Sequence, residues 1–272
     1  MGKFSTYKRF TLTDETSKYE TGKTMPGIKF LEEVERDYIE PTAQALLKDP
    51  ALHLMASESC TDEQYFKVLG QFWAFERAVG ALHANWLLGY TLGPNGEYQE
   101  VEYMEVRQIW EEFKHARLYE DAILRLGYLD SRWELHSHPW CQLIPEGMAL
   151  LNFLQGMSRY PIPVRAAANH LASEAPFVSW FAKAGEVVRN RIVADSFGAQ
   201  VLEETCHANI GRYVVMKYAD TSEIQAMTRW ACQMVLKYTQ QFGMALYDYL
   251  QKQEADQLQI VERWHRRRSR KR

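Results

Sequence analysis

Cysteine is scarce in this chain: four in 272 residues, at Cys60, Cys141, Cys206 and Cys232, with no CxxC pairing. That excludes a disulfide framework and a zinc ribbon alike, and it points to a reducing cytoplasm. Long apolar runs are lacking too, since no segment reaches the about eighteen residues that a membrane span requires. The opening stretch MGKFSTYKRFTLTDETSKYE has no apolar core of a signal peptide. A strong excess of either charge is also missing. The formal net charge of −3 excludes a protein that coats nucleic acid, although the closing RWHRRRSRKR gathers seven of the 32 Lys and Arg into a basic tail. The expectation is a soluble chain with no membrane association, able to meet nucleic acid only through that tail.

Strand patterns are nearly absent, and what is present is helical, with 46% hydrophobic residues, ample for a sizeable core. Residues 1–36 are polar, with scattered glycines and no period, and read as an extended arm; 37–255 read as one helical-bundle domain and 256–272 as the basic tail. Thr61, Asp62 and Glu63 make a helix start, and Phe66, Leu69, Phe72, Trp73, Val79 and Leu82 recur at helical spacing, predicting a helix to about residue 89. GPNG at 93–96 supplies a turn into a second helix, about 98–126, with Gly127 as its C-cap, so that the two form an antiparallel hairpin. Residues 130–147 read as loop, and MALLNFLQGM as a short helix stopped by YPIP at 160–163. From Val164 to Tyr218 a single helix would exceed about 60 Å, so a turn is needed, placed near GEVVRN at 185–190. DTSE, Asp220 to Glu223, reads as a capping box opening a last helix to about residue 252. The fold class is all-α.

Within these helices one pattern occurs twice: EEFKH at 111–115 and EETCH at 203–207. Residues three apart project from one helix face, so Glu112 with His115, and Glu204 with His207, can each hold a metal ion. Carboxylate with neutral imidazole suits iron or manganese. Glu111 and Glu203 also share a face with their histidines, but Glu112 has Ile109, Ala116 and Tyr119 around it whereas Glu111 has Arg107 and Lys114. Glu112 and, by the company of Phe197, Val201 and Ala208, Glu204 are therefore the expected ligands, with Glu111 in a solvated ion-pair setting and Glu203 outer-shell or at the surface.

Two such motifs need two further carboxylates from other helices. Glu76 lies on an apolar face among Phe72, Trp73, Val79 and Gly80, and the midpoint between it and Glu112, residue 94, falls in the GPNG turn, which sets the two level. Glu174 precedes Glu204 by thirty residues, close to the thirty-six between Glu76 and Glu112. Glu186 is its rival; Gly185 favours a turn there and hence Glu174.

The ordered set Glu76, Glu112 with His115, Glu174, and Glu204 with His207 resembles the ferritin-like di-iron carboxylate oxygenases and oxidases, over roughly residues 61–220. The spacing is most similar to the aromatic-amine N-oxygenase and methane-monooxygenase-like branches, although an extra histidine of the N-oxygenases is Gln200 here. The resemblance implies a ferritin-like four-helix bundle with additional helices, two iron ions or a Mn/Fe pair, and O2-dependent oxidation of a small organic substrate between the helices. Electrons would come from a reductase or from the substrate, and a homo-oligomer is expected. Tyr119, one turn past His115, is expected to line the reaction space as a catalytic residue. A second resemblance, to heme-oxygenase-like di-iron oxidases, rests on Glu76 and His83, seven apart on one helix; the late-helix motif of those proteins lacks its first histidine here, where Gln200, Glu204 and His207 stand. A helical interaction protein with a basic tail is the non-enzymatic alternative.

Overall fold

Thr61 and Gln64 open a long helical hairpin with a reciprocal cap: Gln64 N donates to Thr61 Oγ1 (3.2 Å) and Thr61 N to Gln64 Oε1 (2.9 Å). The computed structural model describes residues 27–91 and 98–251, and every regular element among them is helical. The GPNG turn and the basic tail 256–272 lie outside the described residues, as does most of the expected N-terminal arm. The rest of that arm is not extended. Helix α1 (Ile28–Val34) buries Phe30, Leu31 and Val34 and runs through a π-helical stretch, Glu35–Ile39, into α2 (Glu40–Leu46). Seven residues make about two turns, too few to show a period in sequence. Helix α3 (Pro50–Ala56) follows, capped by Asp49, whose side chain accepts from Ala51 N at 2.9 Å.

Helices α4 (Asp62–Thr91) and α5 (Gln99–Arg125) pack along their length. Their cross-helix contacts, Trp73 with Glu120, Glu76 with His115 and His83 with Glu105, run in opposite senses along the two chains, as an antiparallel hairpin requires. Gly127, at φ +80°, ends α5 where only glycine adopts that backbone cheaply. Two short 3₁₀ turns, Arg132–Ser137 and Pro139–Cys141, break the loop that follows, and α6 (Pro145–Gly156) leads to α7 (Ile162–Ala166).

From α7 the chain continues through a π-helical segment, Ala167–Glu174, into α8 (Ala175–Val187). Pro176 explains the local widening: its ring lacks an N–H and crowds the carbonyl four residues back, and a π turn relieves both demands. The turn expected near 185–190 is present, with Asn190 capping α9 (Arg191–Gly198) by accepting from Ile192 N at 3.1 Å. Helix α10 (Val201–Tyr218) follows, and α11 (Ser222–Gln251) starts one residue later than the DTSE box suggests, with Thr221 Oγ1 accepting from Ile224 N.

Two apolar clusters fill this bundle. One holds Leu82 and Trp86 of α4, Val101 of α5, Leu171 of the π segment and Val214 of α10. The other holds Phe66 to Trp73 of α4, Ala116 to Ile123 of α5, and Trp180 and Phe181 of α8. Each of these long helices changes cluster midway, and at the change it carries buried Glu and His: Glu76 and His83, Glu105 to His115, His170 and Glu174. No described helix is long and apolar enough to cross a membrane.

Candidate metal centre

A buried charge must be paired or it is not tolerated, and the polar band brings ten buried Glu and His side chains together, where they pair largely with one another. Four helical segments supply the motif residues: Glu76 from α4, Glu112 and His115 from α5, Glu174 from the π segment, and Glu204 and His207 from α10. All six are under a tenth exposed. Glu76, Glu112, His115 and Glu204 can each bring one ligand atom within 4.8 Å of the others, and so can Glu112, Glu174 and His207. Glu112 belongs to both groups and stands between them. His115 Nδ1 lies 3.1 Å from Glu204, 3.8 Å from Glu112 and 4.0 Å from Glu76. His207 Nδ1 lies 3.2 Å from Glu112, 3.8 Å from Glu174 and 3.9 Å from Glu204.

Both histidines turn the same nitrogen inward. Nδ1 of each is buried without a hydrogen-bond partner, while Nε2 of each is held from outside by a carboxylate. His115 Nε2 meets Glu203 at 2.9 Å, and His207 Nε2 meets Glu111 at 3.0 Å. The arrangement is crossed, because the first Glu of each EExxH motif holds the histidine of the other. This corrects the expectation for Glu111, which is buried and shares its oxygens between Arg107 (2.8 Å) and His207. Glu203 also accepts from Lys114. The signal was available as a doubled Glu in each motif, but crossing cannot be read without knowing that the two helices face each other.

Electrostatics mark a site that demands cations. Burial opposes charge on His115, yet Glu112 and Glu204 push its pKa up to about 12; His207, against burial again, is raised to about 9 by Glu112 and Glu111. Burial and the neighbouring Glu112 carboxylate lift Glu76 well above the ordinary range. Glu112 resists burial and lies well below that range because His207 and His115 face it. Without metal, protons supply the positive charge; a dication supplies it by displacing them.

The rival carboxylate Glu186 is exposed and pairs with Lys183 at 3.4 Å, so Glu174 is the one brought to the cluster. His83 does not join Glu76. Its ring faces Glu105, Gln108, Asn169 and Glu174 instead, with His170 packed 5.2 Å away. Tyr119 is buried against Phe72 and Phe197, and burial, then the charge of Glu76, holds its hydroxyl well above the ordinary pKa. It does not line the cavity beside the carboxylates. That cavity, about 40 Å³ for the centres of water-sized molecules, is lined by Glu76, Glu112, Glu174 and Glu204, by Ser173, and by the apolar Phe72, Phe75, Val79, Leu150, Phe177, Phe181 and Phe242.

No family model matches the chain, and no curated protein matches it. Solved structures do. A TenA homologue from Pseudomonas syringae pv. tomato aligns with a TM-score of 0.62 at 16% identity, over 80% of this chain and 93% of its own. A domain of unknown function with a heme oxygenase-like fold, from Shewanella denitrificans, aligns at 0.64 and 15%, over 81% and 93%. The all-α expectation therefore holds, and the helical frame is the heme oxygenase-like one.

Proposed function

We propose that this chain is a non-haem di-iron oxidase or oxygenase that uses O2 to oxidise a small organic substrate in the apolar cavity beside Glu76, Glu112, Glu174 and Glu204. One observation carries the reading. Two buried histidines point unpartnered Nδ1 atoms at four carboxylates from four helical segments, while Glu111 and Glu203 fix their outer nitrogens. That is the donor set and the outer support of a site for two N/O-ligated metals. The pattern follows the ferritin-like order in sequence, set in a heme oxygenase-like frame.

Glu76, Glu112, His115 and Glu204 would hold one ion and Glu112, Glu174 and His207 the other. Four carboxylates balance two ferrous ions, and the pair supplies the electrons with which O2 is activated. The protein's own part is to exclude water and to present substrate: the seven apolar side chains of the cavity wall face the carboxylates, and the room between them suits a slender group. Gln108 Nε2 donates to Glu112 (3.0 Å) and Glu174 (2.8 Å), tying the two ligands together. A reductase or the substrate returns the electrons.

The exposed stripe Tyr103, Val106, Trp110 and Phe113 along α5 supports a homo-oligomer, and four free cysteines support a cytoplasmic setting. The test is iron quantification on protein purified with ferrous supplementation, followed by absorption spectroscopy on exposure to O2. At least about two irons per chain and an O2-dependent band are expected, and a His115→Ala/His207→Ala variant should lose the band and about two irons. Less than about one iron and no band would sink the reading.

A further inference from the structure

Beside the proposed pair lies a second set of buried histidines that it does not use. His83 of α4 and His170 of the π segment sit between two carboxylates, Glu105 of α5 and Glu174, all four fully or nearly fully buried. Glu105 holds the outer side of both rings: one oxygen meets His83 Nδ1, and the other lies 3.4 Å from His170 Nε2. The remaining nitrogens turn toward Glu174, with His83 Nε2 at 3.6 Å from Oε1 and His170 Nδ1 at 3.7 Å from Oε2. We propose that His83 Nε2, His170 Nδ1 and the Glu174 carboxylate form a third metal site, for a divalent transition-metal ion, with Glu105 orienting both histidines from behind.

Three features support a ligand site over a closed ion cluster. Neither nitrogen of His170 has a hydrogen-bond partner, although the ring is fully buried. A packed hydrogen-bonding quartet would satisfy at least one, since a buried polar group left without a partner is costly. Separations of 3.6 and 3.7 Å are too long for hydrogen bonds yet close to the about 3.0–3.4 Å between atoms that share one metal at about 2.1 Å. The amide oxygens of Asn169 and Gln108 are also unpartnered while their nitrogens face His83 Nε2 and Glu174 Oε1, so turning the Asn169 amide over would offer a fourth donor, an oxygen. His170 and Glu174 reach the same spot because both lie on the π-helical segment, and such widenings recur at functional sites. Two imidazoles and a carboxylate suit Fe(II), Mn(II) or Zn(II).

The test is anaerobic Fe(II) loading of the full chain and of two variants, with metal counted per folded chain after gel filtration. About three irons are expected in the wild type, about two in His170→Gln and about one in His115→Ala/His207→Ala. The site shares Glu174 with the proposed pair, but these variants separate the two ideas. Iron lost from His170→Gln alone would establish the third site without the pair, whereas equal iron in wild type and His170→Gln, both folded by circular dichroism, would overturn it. Should His170→Gln not fold, an iron-edge anomalous map of the loaded wild type decides: a peak among His83, His170 and Glu174 supports the site, and density at the other carboxylates alone refutes it.

Discussion

Glu111 of α5 accepts from His207 Nε2 of α10 at 3.0 Å, so a carboxylate adjacent in sequence to one ligand group serves the histidine of the other. A ligating imidazole is fixed by what its second nitrogen meets, and losing that partner typically costs 10–100-fold in metal affinity. Glu111→Gln is therefore expected to weaken the ion beside His207 by about 10–100-fold, with the ion beside His115 far less affected. Glu203→Gln should show the converse. Calorimetric titration with Mn(II) separates the two steps, and unchanged affinity in both variants would remove the orienting role.

That crossed pairing marks the limit of what sequence shows. Glu76, Glu112, His115, Glu204 and His207 were legible because helical spacing places each pair on one face and apolar neighbours betray burial. The choice of Glu174 over Glu186 rested on a glycine, and the break at Val188–Asn190 supports it. Glu111 reads as solvated because Arg107 and Lys114 stand beside it, yet of those two only Arg107 bonds it, while Lys114 reaches across to Glu203. His170 went unnoticed although HLASE places it four residues before Glu174: a lone spacing means little until Glu105 and His83 arrive from another hairpin. The heme oxygenase-like frame leaves only the Glu76 and His83 spacing as a sign in sequence, since packing order among helices leaves no local trace.

Asp49 gives the fold a pH dependence independent of metal. Burial raises its carboxyl from 3.8 to about 6, against the cap bond from Ala51. A folded pKa above the unfolded one means that the folded chain holds the proton more tightly, so this contribution to stability is full below about pH 4 and is lost as pH rises through about 6. At neutral pH the buried charge costs about 3 kcal/mol, at 1.4 kcal/mol per pH unit. Asp49→Asn keeps a capping side chain and is expected to stabilise the protein near pH 7 by up to that amount, with little gain at pH 4. Urea unfolding of both proteins at the two pH values measures the difference; a gain independent of pH would contradict the assignment.

Gly211 sits where α10 meets the π segment. A Cβ there would stand 2.7 Å from His170 Cβ, 3.0 Å from Leu171 Cγ and 3.1 Å from the Ala166 carbonyl oxygen. His170 Cβ and the Ala166 oxygen cannot yield without moving the backbone. Gly211→Ala should therefore destabilise by about 1–3 kcal/mol despite the better helix propensity of alanine, a fall in Tm of about 2–4 °C per kcal/mol. Gly80 is the control. Its Cβ would meet the Phe113 ring at 3.1 Å, which at 44% exposure can turn away, and Glu112 Cβ at 3.2 Å, which must give only a few tenths of an ångström. Gly80→Ala is expected to cost less than Gly211→Ala, and calorimetric melting of the two variants tests the contrast.

The cavity beside the carboxylates sets the size of what can approach them. At about 40 Å³ for the centres of water-sized molecules it has room for a few small molecules at most, and Phe177, half-buried on its wall, closes it against Trp180 and Phe181. Removing that ring leaves an apolar hole, and apolar holes of sufficient size stay dry and take up benzene. Because Phe177 is only half-buried, Phe177→Ala should cost less than the about 3–5 kcal/mol of a full core truncation. Benzene should then restore part of the loss, since a ligand bound only by the folded state at 100 times its Kd adds about 2.7 kcal/mol. Thermal melting with and without benzene checks this: a rise confined to Phe177→Ala places the cavity wall at this ring. An equal rise in the wild type would mean that the pocket already opens wide enough without the substitution.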